Sequence, residues 1–405
     1  MVAREYACTA AGKTRCGPDR HTYSDRVDRP GDRCRHRRPR RDAAADRLSA
    51  AAHDSSFRLR RVADPRTRRC VLHRHRGLMR VIDFHNHFYP PAYLDALRSG
   101  SSRVRVTVDA EGNPVLHYPG DYNIAVRGHR DIAYRESVLQ EHGVDTQILS
   151  LTTPGTHVEE PATAVKLARL VNDGFASIVR GSNGRFAAVA TLPLSDPTAS
   201  AKELERACRQ LGFCGAMVFS NINGIALSDD RFRPVWEIAN DLGAVIHIHP
   251  TSPVGVEAMK DYWLMPLVGF PLDTTLAAAS LVFSGTVDRF PRIKWALGHL
   301  GGAIPYLVER LDRGFYAFKE CRAHIDRPPS EYLKEFYYDS VNFDVRALQL
   351  AIDFAGADHI LAGSDYPHQI GSLRKMLDSI AALDLSEADR AAILGGNAAR
   401  LLLRD

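Results

Sequence analysis

Three His-x-His pairs stand in this chain: His73/His75, His85/His87 and His247/His249. On an extended strand, residues two apart face the same side, so a pair at a strand's end can grip one metal ion together. Taken alone, such a pair is more often just two polar residues at a strand end. The first pair lies among arginines whose charge repels a cation, and it is set aside. The second, in VIDFHNHF, has company. His249 closes an apolar run before Pro250, His299 closes another before Leu300-Gly301-Gly302, and Asp365 closes a third in GSDYPH. Neutral imidazoles with one carboxylate suit Zn²⁺ or a neighbouring transition metal and leave a coordination position for water. Bound Zn²⁺ lowers the pKa of that water from 15.7 to about 7, and a histidine within hydrogen-bond reach then moves its proton.

Those side chains meet only if their strands are parallel neighbours. From Val81 onward, short β-branched or apolar runs alternate with helical patterns: 81–84, 146–151, 186–191, 215–219, 244–249, 294–299, 335–340 and 359–365. Pro161 to Ser182, the stretch opened by Asp196-Pro197, Asp229 to Leu242 and Ser386 to Leu403 read as helices. Eight strands in this length predict an α/β fold, a (β/α)₈ TIM barrel with long insertions in its βα loops. An open doubly wound sheet would want a glycine-rich turn after the first strand, where this chain has HNHFYPP. In a barrel, His85, His87, His249, His299 and Asp365 all ring the C-terminal mouth. Segments 88–140 and 250–275 exceed normal loop length and are predicted to be lids. The first holds Arg98, Arg103, Arg105, Arg127, Arg130 and Arg135, any of which could grip a carboxylate or merely be solvated. His247 shares a strand face with His249, one layer deeper, where a core histidine is the commoner outcome and a further ligand the rarer one. His368 is placed to orient a ligand rather than bind the metal.

The remaining composition restricts the partners. Residues 1–78 carry 21 Lys+Arg against 9 Asp+Glu, a net +12, whereas 79–405 carry 32 against 39, a net −7. The basic arm shows no helical or strand period and is expected to be disordered, an upstream extension of a domain that starts near Met79. Its alternative role is a tail for an acidic surface, and nucleic acid is a poor fit because aromatic interleaving is missing. The acidic body gives no reason to expect nucleic acid or an anionic membrane. No apolar run approaches the roughly 18 to 20 residues of a membrane span. Seven cysteines, an odd number without any CxxC, argue against a disulfide framework and for a reducing cytoplasm.

IDFHNHF, IHP, LGHLGG, GSDYPH and the terminal GGNAARLL together resemble the amidohydrolase superfamily, in its branch of aminocarboxymuconate-semialdehyde decarboxylase and related aromatic-acid decarboxylases. The resemblance spans 81–403, with the motifs in the family's order. It implies one divalent metal, usually zinc and sometimes manganese, held by His85, His87, His249 and Asp365. It further implies that His299 is the catalytic acid/base, assisted by Asp365. Ser220, not lysine, follows the fourth strand, so the carbamylated lysine of binuclear relatives has no counterpart. Arg310 falls where the decarboxylases place a carboxylate-binding arginine that acts across a homodimer, although a helix-surface salt bridge would explain it as well. Their companion arginine falls near Arg313 but not clearly on it. GFPLDTT (269–275) resembles a family segment and reads as structural. The resemblance implies non-oxidative decarboxylation of an unsaturated or aromatic carboxylic acid, with hydrolysis of a lactone or amide as the alternative.

Overall fold

The computed structural model describes residues 80–402 apart from Ser101 and Val254, so the expectations for 1–78 lie outside the described residues. Eight strands follow one another around a closed barrel: Ile82–His87, Thr146–Ser150, the two-part third strand Phe186–Ala188 and Ala190–Thr191, Gly215–Phe219, Val245–His249, Lys294–Leu297, Tyr337–Asp339 and Ile360–Leu361. Every neighbouring pair is parallel. The ring closes between first and eighth strands, where Phe84 N–H donates to the Ala362 carbonyl and His87 N–H to that of Tyr366, each at 2.8 Å. Runs such as Gly215–Phe219 and Val245–His249 are buried at every position, as expected of parallel strands covered on both faces.

The intervening helices start as their sequences dictate. Asp196 caps Pro197–Arg206 by accepting from Ala199 N–H, with proline at the first helical position, and Asp344 caps Val345–Ala355 in the same manner. Pro161–Gly181 is one helix, whereas Asp229 to Leu242 opens with the 3₁₀ turn Asp230–Phe232 before Arg233–Leu242. The C-terminal stretch departs from the single helix expected. Glu387–Ala391 widens into a π turn, Ala392–Gly396, before Asn397–Leu402. That turn leaves the Ile393 carbonyl facing the eighth strand, where it accepts from Ala362 N–H at 3.1 Å. Gly395 lies so close to Arg80 that an added Cβ would stand 2.0 Å from its carbonyl oxygen.

Both long segments carry more structure than loops. Segment 88–140 contains Pro91–Arg98, an antiparallel meander of Arg105–Val108, Pro114–Tyr118 and Asp121–Ile124, and then Arg127–Arg130 and Ile132–His142. Segment 250–275 runs through Val256–Met259 and a π turn, Met265–Gly269, into the helix Phe270–Phe283. Together Met265–Phe283 make 19 residues of mean hydropathy 1.4, long and apolar enough to cross a membrane by length and composition. This corrects the expectation that no stretch comes near that limit. The π turn joins two apolar runs, and in the helix Asp273, Thr274 and Thr275 are buried.

Candidate metal centre

Each of three histidines has its outer ring nitrogen committed. His85 Nδ1 bonds Asp339 Oδ2, His87 Nδ1 lies 3.0 Å from Ser150 Oγ, and His249 Nδ1 lies 2.8 Å from the Pro250 carbonyl oxygen. A carboxylate and a carbonyl can only accept, and Ser150 Oγ donates its own hydrogen to the Asn86 carbonyl at 2.7 Å. All three Nδ1 atoms are therefore N–H donors, and each Nε2 is left to present a lone pair inward. There the lone pairs face other acceptors. His85 Nε2 is 3.1 Å from His87 Nε2, and Asp365 Oδ1 lies 3.4 Å from the first and 3.2 Å from the second. Acceptors gathered this closely repel unless a positive charge stands among them.

The acid–base properties agree. Burial, and then neighbouring imidazoles, hold His87 and His249 well below the ordinary histidine pKa, so both are neutral. His85 is the exception. Burial pulls it down, but the Asp339 and Asp365 carboxylates outweigh burial and raise it, favouring a second proton on Nε2. That proton marks where the cluster calls for a cation, and a metal ion would displace it. Burial alone would raise Asp365, but the surrounding histidines, His368 foremost, keep it ionised, well below the usual range.

The sixth strand ends in a sharp turn that brings in His299. His299 and Leu300 have φ of 54° and 57°, in the left-handed region, and the Asp339 carboxylate holds them there by accepting from His299 N–H at 3.1 Å and Leu300 N–H at 3.0 Å. Thr275 Oγ1 of the GFPLDTT segment accepts from Ala303 N–H at 2.8 Å, so that segment anchors the same turn. His299 Nε2 then stands 3.6 Å from Asp365 Oδ2. Donor atoms of His85, His249, His299 and Asp365 lie within 4.8 Å of one another, as do those of His87, Asp365 and His368. The residues predicted from four strand ends thus converge on one point, with Asp365 common to both groups. His247 lies deeper, its ring 4.9 Å from that of His85 and 5.1 Å from Phe84, and burial pushes its pKa down to about 3. Neither of its ring nitrogens has a partner among the described residues.

Above the cluster opens a cavity of about 460 Å³. Tyr122, Ile124, Val126, Trp263, Phe270 and Ile370 form its apolar walls, so the meander and the segment after the fifth strand both reach over the site. The lid arginines lie elsewhere. Arg98, Arg103 and Arg127 pair with Asp95, Glu160 and Asp131, Arg105 is exposed, and Arg130 bonds the Ala125 carbonyl. Arg135 is fully buried below the site, bonding Asn86, Gln147 and the carbonyls of Gly128 and His87. Arg310 and Arg313 are exposed on the helix Ile304–Ala317, outside the cavity lining. Asp339 and Ser150 went unrecognised in the sequence, although an acid closing the seventh strand is the same signal that singled out Asp365.

The residues present therefore suit a cation: three oriented imidazole lone pairs, one ionised carboxylate, a histidine beside them and an apolar cavity above. This defines a metal-dependent barrel enzyme with its site at the C-terminal mouth of the strands. The family profile described as Amidohydrolase matches residues 82–404, and the chain belongs to that family. It is 35% identical over 269 residues to the 2-amino-3-carboxymuconate-6-semialdehyde decarboxylase of Dictyostelium discoideum, covering 65% of this chain and 74% of that protein. Among solved structures, it resembles 5-carboxyvanillate decarboxylase of Sphingomonas paucimobilis with a TM-score of 0.71 at 29% identity, covering 80% of this chain and 99% of that one. It also resembles a dihydroxybenzoic acid decarboxylase of Polaromonas sp. JS666, solved with manganese and 2-nitroresorcinol, with a TM-score of 0.67 at 29% identity, over 80% of this chain and 96% of that one. A single divalent metal is the cofactor these findings support.

Proposed function

We propose that this chain is a carboxy-lyase that removes CO₂, without oxidation, from an aromatic or unsaturated carboxylic acid. The observation that carries the proposal is the convergence of three oriented imidazole lone pairs and the Asp365 carboxylate beneath an apolar, aromatic-walled cavity, with His299 beside them. The names of the three similar proteins given above, each a decarboxylase, support it. In this reading His85, His87, His249 and Asp365 hold the metal. Zinc is the ion we assign to them and manganese the substitute, since imidazole and carboxylate donors accept either. When bound, that ion supplies Lewis-acid stabilisation of negative charge on the substrate.

The protein's own groups supply the rest. Non-oxidative decarboxylation adds a proton to the carbon bearing the carboxylate, breaks the carbon–carbon bond with its electron pair kept by the remaining framework, and releases CO₂. One proton replaces one CO₂, and no oxidant is needed. His299, 3.6 Å from the Asp365 carboxylate at the cavity floor, delivers that proton. Trp263, Phe270 and Tyr122 hold the ring and exclude water, which strengthens every polar interaction beneath them. Arg310, exposed on its helix, serves a substrate carboxylate only across a homodimer, and we include that dimer, in the cytoplasm, in the proposal.

The test is turnover in D₂O by the zinc- or manganese-loaded protein, screened against hydroxylated aromatic and muconate-type acids. CO₂ release with one deuteron at the vacated carbon is the expected result. Uptake of ¹⁸O from labelled water into the organic product, without CO₂, would replace this reading with hydrolysis of a lactone or amide.

A further inference from the structure

The cavity wall carries a histidine that is not among the proposed metal ligands and that the reaction does not use. His129 lines the cavity, is 1% exposed, and neither ring nitrogen has a hydrogen-bond partner among the described residues. Its backbone is fixed from both sides, with Tyr89 N–H donating to its carbonyl at 2.7 Å and its own N–H reaching Val126 O at 2.9 Å. Its ring is sandwiched between Tyr89, stacked at 5.2 Å, and His368, edge-on at 5.0 Å. His368 in turn has Nε2 3.3 Å from Thr152 Oγ1 and its ring 5.0 Å from that of His87. A buried imidazole with both nitrogens unpaired is costly, and such a group in a cavity wall is relieved by a ligand that completes its hydrogen bonds. Burial, reinforced by His368 and Arg135, keeps His129 uncharged.

The charges nearby narrow what that ligand is. Among the described residues that line the cavity, Asp365 and Asp121 are the only ones with charge-bearing acidic or basic side chains other than histidine, and none is Lys or Arg. Asp121 accepts from Tyr118 Oη at 2.9 Å, and burial raises its pKa. A second carboxylate on the substrate would face this acid with no cation from the same wall to offset it. A hydroxyl suits the wall instead, because it both donates and accepts, as a neutral imidazole does.

We propose that His129, with His368, is a specificity-determining pair that binds an uncharged hydrogen-bonding substituent, a ring hydroxyl, of a substrate with a single carboxylate, and that Asp121 disfavours diacids. The proposal rests on the decarboxylase reading for its account of what happens to that carboxylate. Its own content is which acids are bound.

The experiment measures binding of benzoate, 2-, 3- and 4-hydroxybenzoate, and isophthalate to the metal-loaded full chain by calorimetry, with CO₂ release recorded in parallel. In the wild type, one hydroxybenzoate should bind on the order of ten- to a hundredfold tighter than benzoate, and isophthalate more weakly than benzoate. His129→Phe should erase the hydroxyl preference while leaving benzoate affinity within about twofold, so benzoate reports that the cavity is intact. His129→Asn, which restores a donor and an acceptor, should recover part of the preference, and Asp121→Asn should raise isophthalate affinity alone. Isophthalate binding as tightly as the preferred hydroxybenzoate would overturn the proposal, as would equal loss of benzoate and hydroxybenzoate affinity in both His129 variants. CO₂ release with a diacid preference would refute this inference and spare the decarboxylase reading. The expected binding preferences without CO₂ from any acid would do the reverse.

Discussion

Replacing Asp339 with asparagine should weaken metal binding and turnover together, although Asp339 is not among the proposed ligands. Its carboxylate accepts from His85 Nδ1, and from the N–H groups of His299 at 3.1 Å, Leu300 at 3.0 Å and Val341 at 2.9 Å. Asparagine in the best orientation keeps the acceptor facing His85 and His299. Its NH₂ then meets Leu300 N–H and Val341 N–H, donor against donor, at about 1–3 kcal/mol for the groups left unpaired. It also removes the negative charge that raises His85 and makes it a better donor to a cation. Loss of such an orienting partner costs about 10- to 100-fold in metal affinity, or about 1.4–2.7 kcal/mol. Competition against a chromophoric chelator measures the affinity, and CO₂ release at saturating metal isolates the displaced His299. If Asp339 acts through His85, Asp339→Asn combined with His85→Ala should lose little more affinity than His85→Ala alone. Wild-type affinity with wild-type turnover in Asp339→Asn would refute the reasoning.

Three further outcomes follow from other positions. His299→Ala should bind metal nearly as the wild type and lose turnover by about 10²- to 10⁴-fold, whereas Asp365→Ala should lose both, as metal content and CO₂ assays would show. Gly302→Ala should destabilise the fold and displace His299, because φ is 62° there and the added Cβ would stand 1.9 Å from the Pro271 carbonyl oxygen; thermal melts and turnover check it. His157 is buried and pushed down to about 4 from 6.5, so the unfolded chain takes up a proton below pH 6.5 that the folded chain refuses until about pH 4. The stability from keeping it neutral is therefore complete above pH 6.5 and lost as pH falls to about 4, by about 3 kcal/mol. His157→Gln should flatten that part of the acid dependence in urea unfolding, and parallel wild-type and variant curves would contradict it.

Much of this architecture was legible because its signals are local. A buried parallel strand is a short apolar run, and His249, His299 and Asp365 each close one, so with the His85/His87 pair four strand ends could be placed at one mouth before any contact was known. Contacts across the barrel were not legible. Asp339 meets His85 over a separation of 254 residues, and Ser150 meets His87 over 63; an acid closing the seventh strand was visible, but nothing in either local sequence marks its partner. The meander could have been found, since Arg103 to Val108 alternates Arg-Val-Arg-Val-Thr-Val, the period of a half-buried strand, and Asp109 to Gly112 makes the turn. The arginine count of that segment pointed toward substrate, while the fold sends Arg103 and Arg127 to surface carboxylates and Arg135 beneath the first strand. His129 carried no signal at all, because its meaning comes from what it lacks.

The ends of the strands explain why closing the barrel and forming the site are one event. Asp365 has φ of 55°, as His299 has 54°, and such left-handed conformations cost about 1–2 kcal/mol each for residues with a side chain. Both are held by groups that also build the cluster. Asp365 N–H donates to the His85 carbonyl at 2.8 Å and Ser364 N–H to the same oxygen at 3.1 Å, which ties the eighth strand to the first. Ser364 Oγ donates to Asp83 Oδ2 at 2.6 Å, and Gln147 Nε2 reaches the same carboxylate oxygen at 2.7 Å, which binds the second strand into the seam. The bonds that complete the β ring are therefore the bonds that aim His85 and Asp365. A cation among their donor atoms stabilises the closed ring directly, and a seam weakened enough to populate the open ring lowers the cation's apparent affinity by the fraction of closed ring lost, without touching a ligand.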